Sequence, residues 1–368
     1  MAIEHILCLD FRFMTNLLID ILKTIHREPI SQAQLCQKLA ISKSQINKLV
    51  ANLVTPGLIS KHKNSEYAQE QGRPRQYLQV SENLPYYSLL MIHTTWMSRI
   101  YIYRYGKQNE LGYIDTKICF DANEFINEIN YSIDNLCLNT GIPRKEIISF
   151  VISTQGTIEQ GEDGIMHCNN VLHDENISLA GMVREKTGIR TFIYNFAYAH
   201  MLKLLHSSSL DTDYAMAILC GEGSVALGIF FNGQIMLGRN NTLPECSHLP
   251  FKYGFEKSLG RYGKHTEDAL LFAISSVAPI YNINHVIVAG SCFDEHLDSI
   301  YRVTQKLKSS ADPLLKQLTI EYRGKDIEDY MEELIFLSFD ALVDVLNPQM
   351  QKRSLEDYVD SKIKKTSN

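Results

Sequence analysis

Between Lys43 and Arg75 this 368-residue chain carries residues whose types and spacing suit recognition of a polyanion with readable edges. Lys43, Ser44, Gln45, Asn47 and Lys48 fall on one side of a helical repeat whose other side is Ile46, Leu49, Val50 and Leu53. Lys61, Lys63, Arg73 and Arg75 follow on a stretch that reads as a hairpin. From residue 38 to 75 there are seven lysines and arginines against Glu66 and Glu70. Cationic side chains neutralise phosphates, while Ser, Asn and Gln carry the donors and acceptors that read base edges. The pattern points to double-stranded DNA. A small helical subdomain with a solvated polar face is the bland alternative, and Ser44 and Gln45 serve equally well as helix-start residues.

These side chains need elements to hold them. Ser31 with Gln34 makes a capping box, with Ile30 and Leu35 as its hydrophobic staple. Ser42 with Gln45 repeats the box, and Ile41 with Ile46 repeats the staple. Two short helices separated by a tight turn make a helix-turn-helix. Thr55-Pro56-Gly57 ends the second helix. A wing follows, with strand LISK, a polar tip HKNSEYAQEQ, the turn Gly72-Arg73-Pro74-Arg75 and strand QYLQV. Ahead of all this, residues 13 to 27 predict a helix with Leu17, Leu18, Ile21 and Ile25 as its buried stripe.

The formal net charge of −6 hides an asymmetry, because residues 1–80 carry ten Lys/Arg and six Asp/Glu. The remaining residues are correspondingly acidic, so only the N-terminal part suits a phosphate backbone. Eight cysteines (Cys8, Cys36, Cys119, Cys137, Cys168, Cys220, Cys246, Cys292) are scattered without a CxxC pair. That implies reduced thiols in a cytoplasmic protein. No signal peptide or membrane-spanning run is legible.

Near Glu82-Asn83-Leu84-Pro85 the pattern changes from helices to strands. Three strands turning at Gly106, a helix over 122–138 and the buried strand EIISFVISTQG follow. Beyond the hairpin turn Gly161-Glu162-Asp163-Gly164 come a helix over 179–187, strand TFIYN and helix FAYAHMLKLLH. The order then restarts. AMAILCGEGSVALGIFFNGQIMLG is a set of strands turning at Asn232-Gly233, helix EDALLFAISSVAPIY follows, and NHVIVAGS is again a buried strand ending in glycine. EELIFLSFDALVDVL predicts the last long helix, ahead of a charged, frayed end. The repetition predicts two similar α/β lobes facing a cleft. The expected domains are a winged helix over 1–80, a first lobe over 81–205, and a second lobe over 206–368 that includes the C-terminal helix.

A winged helix joined through Gly72-Arg73-Pro74 to two such lobes resembles the ROK family of repressors and sugar kinases. Gly156 matches the glycine of that family's PG pair, with Gln155 in place of proline; Asn170 falls on the asparagine of its PN motif. Asn195 falls on the asparagine of ENDA, and Glu245 and His248, in PECSHLP, match the Glu and His of GExGH. The resemblance implies actin-like, ribonuclease-H-like lobes with a sugar or sugar-phosphate effector between them. It also implies control of sugar-uptake or catabolic operons by a homodimer or homotetramer. Asn170, Asn195, Glu245, His248 and Gly156 are then the ligand-binding candidates, with loop capping as the alternative for the asparagines. Phe196 and Tyr198, expected on the same wall, are candidates to fill the pocket instead.

The departures from the family matter equally. The kinases' DxGGT is replaced by MIHTTWM, where Thr94, Thr95 and Trp96 deny close approach of backbone to phosphate. GEGSVA stands in place of LGTGIG, putting Glu222 where phosphate would lie. The catalytic aspartate after Asn195 is Phe196, which takes no proton. After His248 the cysteine cluster of the family's zinc site is missing. The expectation is a regulator without phosphotransferase activity, metal or cofactor; a regulator whose lobes answer to a protein, or a kinase that binds DNA, are the alternatives.

Overall fold

A computed structural model describes residues 17–55, 57–63, 76–107, 109–162, 164–169, 171–207, 214–221, 224–247, 249–259, 263–324 and 330–343. Several expectations lie outside these residues in whole or part: the start of the first helix before residue 17, the wing tip and its GRP turn, Asn170, Glu222, His248, and the charged C-terminal end.

Helix α1 (17–27) buries Leu18, Ile21, Leu22 and Ile25, whereas Leu17 is only half-buried. Strand β1 (Ile30–Ser31) leads into α2 (Gln32–Lys38). Both halves of the expected box are made: Gln34 N donates to Ser31 Oγ at 3.3 Å and Ser31 N to Gln34 Oε1 at 3.1 Å. The second box is only half made. Gln45 N donates to Ser42 Oγ at 3.3 Å, but Gln45 Oε1 takes the Ser42 hydroxyl at 2.9 Å, and its return bond to the Ser42 backbone does not form. Helix α3 (Lys43–Val54) buries Ile46, Leu49, Val50 and Leu53, as the spacing predicts. Strands β2 (Ile59–Lys63) and β3 (Gln76–Val80) form the wing, and β1 adds to β3 to make a three-stranded sheet. A two-residue strand that doubles as a helix cap carries no alternation, so β1 was not legible.

The first lobe contains β4 (Tyr87–His93), β5 (Ser98–Arg104), β6 (Glu110–Asp115), α4 (Ala122–Thr140), β7 (Ile147–Thr154), the hairpin β8 (Thr157–Ile158) and β9 (Met166–Cys168), α5 (Leu179–Thr187), β10 (Thr191–Asn195) and α6 (Phe196–Ser207). Its sheet runs β6-β5-β4-β7-β10, with β5 antiparallel and β7 parallel to β4. Strand β4 is buried on both faces. Leu89 and Met91 meet α4 and α5 on one side, while Leu90 and Ile92 join a cluster on the other that includes the winged helix.

The second lobe repeats the plan with β11 (Tyr214–Gly221), β12 (Ser224–Phe231), β13 (Gln234–Ile235), α7 (Phe255–Leu259), α8 (Thr266–Tyr281), β14 (His285–Ala289), α9 (Leu297–Lys308), α10 (Pro313–Gln317) and β15 (Thr319–Arg323). The sheet order is β13-β12-β11-β14-β15, again with one antiparallel hairpin partner and one parallel partner for the central strand. Helices α8 and α9 cover one face of this sheet. The other face, Ala215, Ala217 and Leu219, packs on Met201 and Leu204 of α6. Helix α6 is therefore shared: its Ala199 and Leu202 join the first-lobe cluster.

The last helix departs from expectation. Helix α11 (Met331–Leu337), continued over 339–343, packs on the first sheet and on α1, not on the second lobe. Its Phe336 and Phe339 meet the His26 ring edge-on at 5.6 and 5.5 Å, and Phe336 lies under the Arg27 guanidinium at 4.5 Å. Glu333, 2% exposed, accepts from Arg27 at 3.3 Å and faces His206 of α6 at 2.9 Å. Nearby, the buried Tyr105 hydroxyl meets Ser149 Oγ at 2.8 Å and donates to the Ser338 carbonyl at 2.9 Å. Among the described residues, no helix is long and apolar enough to cross a membrane.

Three imidazoles, His26, His93 and His200, are buried deeply enough to be pushed down to about 4, and the Arg27 charge adds to the effect at His26. The unfolded chain takes up these protons near pH 6.5, the folded chain only near pH 4. The unfolded state therefore binds more protons in that window, and stability is lost as pH falls through it. Each histidine contributes a slope of roughly 1.4 kcal/mol per pH unit there. Urea unfolding between pH 7 and pH 4 should show a shallower acid limb in His26→Gln than in the parent; an unchanged slope would contradict the burial argument.

Candidate functional site

The basic face is built as its spacing predicts. Lys43, Ser44, Gln45, Asn47 and Lys48 are all exposed on α3, while Ile46, Leu49, Val50 and Leu53 are buried. Lys43 and Lys48 form no ion pair among the described residues, in contrast to Lys38, which meets Glu28 at 3.2 Å. Lys61 is exposed on β2, and the Lys63 backbone pairs with Gln76. Arg73 and Arg75 lie outside the described residues. Gly57, in a left-handed conformation, lets the chain turn from α3 into β2, with Leu58 N bonded to the Leu53 carbonyl at 3.0 Å.

Between the lobes lies a cavity of about 720 Å³. Gly156, Asn195 and Glu245 line it, so three of the five ligand candidates do come together. Asn170 and His248 lie outside the described residues. Asn195 has little left to offer a ligand. Its Nδ2 donates to the Gly156 carbonyl and its Oδ1 accepts from Ala197 N at 2.8 Å, which caps α6. The capping alternative describes this side chain. Glu245 is exposed, and its Oε1 accepts from Ser247 N at 2.9 Å.

Two glycines set the cavity floor, one from each lobe. Gly156 follows β7 with φ +118° and Gly290 follows β14 with φ +112°. A Cβ on either would stand 2.1 Å from a carbonyl oxygen, that of Cys168 or of Cys220. Both strands end in the same kink against the same kind of neighbour.

The turn that stands in place of the first phosphate loop of the resembled kinases is bonded to the protein itself. In the β4–β5 turn, Thr94 N donates to the Met97 carbonyl at 2.8 Å and Met97 N to Thr94 Oγ1 at 3.1 Å. Thr95 N donates to Gln155 Oε1 at 3.4 Å. Amides that would cradle a phosphate are thus spent on the protein itself. Strand β11 pairs antiparallel with β12 as far as Gly221 opposite Ser224.

Sequence reasoning missed most of one wall. Phe196 meets Trp96 edge-on at 6.0 Å, His200 at 4.6 Å and Tyr330 at 5.3 Å, and Tyr101 lines the same side. Of these rings, the sequence points to Phe196 alone as a wall residue. The expectation for Tyr198 was wrong: it stacks on Tyr194 at 5.8 Å and does not line the cavity. Tyr330 comes from the start of α11, a separation that no local pattern bridges.

Gly156→Ala should cost on the order of 1–3 kcal/mol, because the methyl meets backbone and the φ is strained. Gly188 is a control, with φ +72° and open space around it. Denaturant unfolding should show Gly188→Ala losing clearly less; equal losses would mean the Cys168 carbonyl yields.

The comparisons with known proteins fit this architecture. Residues 14–66 match the MarR family model. Comparison with curated proteins gives no match. Among solved structures, a ROK family transcriptional regulator, a homolog of the E. coli MLC protein, aligns at TM-score 0.66 and 17% identity, covering 90% of this chain and 99% of that one. The Lmo2764 protein from Listeria monocytogenes aligns at TM-score 0.51 and 11% identity over 70% of this chain and 99% of its own. The ROK hexokinase from Thermus thermophilus aligns at TM-score 0.50 and 11% identity, with 71% and 99% covered. At such identities the likeness concerns fold alone: a winged helix followed by two α/β lobes, arranged as in the ROK family regulator.

Proposed function

We propose that this chain is a cytoplasmic DNA-binding transcriptional regulator that works as a dimer on a two-fold operator. One observation carries the reading, the outward face of α3, where five polar or basic side chains stand exposed above a fully buried stripe. A single short recognition helix reads few base pairs, and two of them on one face of the duplex lie about 34 Å or a multiple apart. The MarR match over 14–66 and the fold of the ROK regulator support the same reading. The lobes then serve as a sensor that holds an effector in the cleft, and the likeness to a ROK family transcriptional regulator and to a ROK hexokinase makes carbohydrate control the favoured biology.

Lys48→Ala should weaken every site alike and lower the salt slope by roughly 0.9, as loss of one phosphate contact does. Asn47→Ala should instead relax base preference by about 1–3 kcal/mol at one position. Gel shifts of the full chain across a salt series separate the two; indifference of both variants would remove α3 as the reading element.

The same reading makes the body a non-enzyme. Phe196 stands where the kinases carry a base, and the amides of the β4–β5 turn are occupied. Incubation with ATP and a panel of hexoses should release no ADP above background. Sustained turnover would return the chain to the kinases.

A further inference from the structure

Besides the packing of α6, the lobes are joined through a turn over 238–242 in the second lobe. The turn is closed on itself, with Gly238 N bonded to the Thr242 carbonyl at 2.8 Å. Its tip meets the segment that follows β8 in the first lobe. Gln160 N donates to the Asn241 carbonyl at 3.1 Å, and Glu159 stands opposite Thr242 in an antiparallel bridge. Asn240 Nδ2 donates to Glu159 Oε1 at 2.9 Å. Backbone and side chain thus cross between the lobes at one place.

Both sides of the contact are held in shape. Glu159 N donates to the Ile165 carbonyl at 3.0 Å and Gly161 N to the Ile193 carbonyl at 2.9 Å, which ties the receiving segment to its own lobe. Gln160 Oε1 accepts from Asn195 N at 2.8 Å, next to the start of α6. The Glu159 carboxylate also faces His167 Nε2 at 2.9 Å, and His167 Nδ1 faces Asn176 Oδ1 at 2.9 Å. On the second-lobe side, Asn240 and Asn241 both take left-handed backbone, each with φ +58°. Two such residues in a row are uncommon outside glycine and persist where surrounding contacts hold them. We propose that this contact is a clasp that fixes the angle between the lobes. The second lobe turns about α6 only when the Glu159–Asn240 and Gln160–Asn241 bonds break. Hydrogen bonds at a surface are individually weak. A few of them set a bias that a ligand preferring the opened form overcomes. The inference rests on the reading of the lobes as the sensor of a DNA-binding regulator, and it names the joint that sensing must open.

Asn240→Asp tests the clasp with little change of shape, since aspartate also tolerates left-handed backbone. It sets a second carboxylate against Glu159. Hydrogen exchange of the full chain, read by mass spectrometry, should then speed up in peptides covering 238–243 and 157–162, on opposite lobes. The expected change is about tenfold, the factor that about 1.4 kcal/mol of lost interaction gives. Adding Glu159→Gln offers the new carboxylate an amide donor and should restore the parent rate. No acceleration over 157–162, or acceleration that persists in the double variant, would overturn the clasp. Locking tests its consequence. Opposite residues of an antiparallel pair have Cα atoms roughly 4.5–5.5 Å apart, within the span of a disulfide. Glu159→Cys with Thr242→Cys is made together with Cys168→Ser, because the Cys168 thiol is exposed nearby. Oxidised glutathione closes this pair and dithiothreitol releases it. A duplex that the parent chain selects from a random-sequence library is the DNA probe. Its Kd should differ at least about fivefold between the locked and the reduced protein, and not in Cys168→Ser alone. Equal affinities would overturn the clasp as a control on the regulator. Failure of the parent to select any duplex would fault the DNA reading instead, and the exchange result would still decide the clasp.

Discussion

A buried carboxylate needs a cation, and much of this molecule is arranged around supplying one to Glu333. The residue sits on α11, its partner Arg27 belongs to the first helix of the winged domain, and His206 ends α6. Three segments that are far apart in sequence thus meet at one charge. Removing a partner from such a site is costly, because the remaining charge stays desolvated. Phe336 and Phe339 close the space around it, and His26 packs edge-on against both. The winged helix is therefore seated on the lobes through a common apolar core with one paired charge inside it.

Where local chemistry decides an element, it was legible. The Ser31 box, the buried stripe of α3, strands QYLQV and TFIYN and the Asn232-Gly233 turn all follow from propensity, capping or period. Elements that depend on distant partners were not. Strand β15 is a half-buried edge carrying Glu321 and Arg323, so its composition resembles a loop, and α9 and α10 before it went unassigned with it. The last helix announced itself by its apolar residues, but periodicity says that a face is buried and not against what.

The same division runs through the site. The exposed face of α3 is a property of one helix, and its residues could be named from spacing alone. The cleft is assembled from residues 96, 196, 245 and 330, and only folding brings them together. Asn195 shows the limit from another side. Its type suits a hydroxyl ligand, but geometry spends both ends of its amide on the backbone. The side chains of Thr94, Thr95 and Trp96, by contrast, were visible residue by residue, and backbone approach to an anion depends on missing side chains.

Helix α6 has a mechanical meaning that its packing alone does not convey. Its first residue, Phe196, is part of the cavity wall, and His206, near its last turn, faces Glu333 beside Arg27. Twelve residues of α-helix make a strut about 18 Å long with no joint in it. Sheets grip it on both sides, so it has little freedom to bend and must move as a piece. Such a strut carries messages in both directions with equal strength. If filling the cleft alters the grip on an operator by some factor, occupying that operator alters the cleft's grip on its ligand by the same factor.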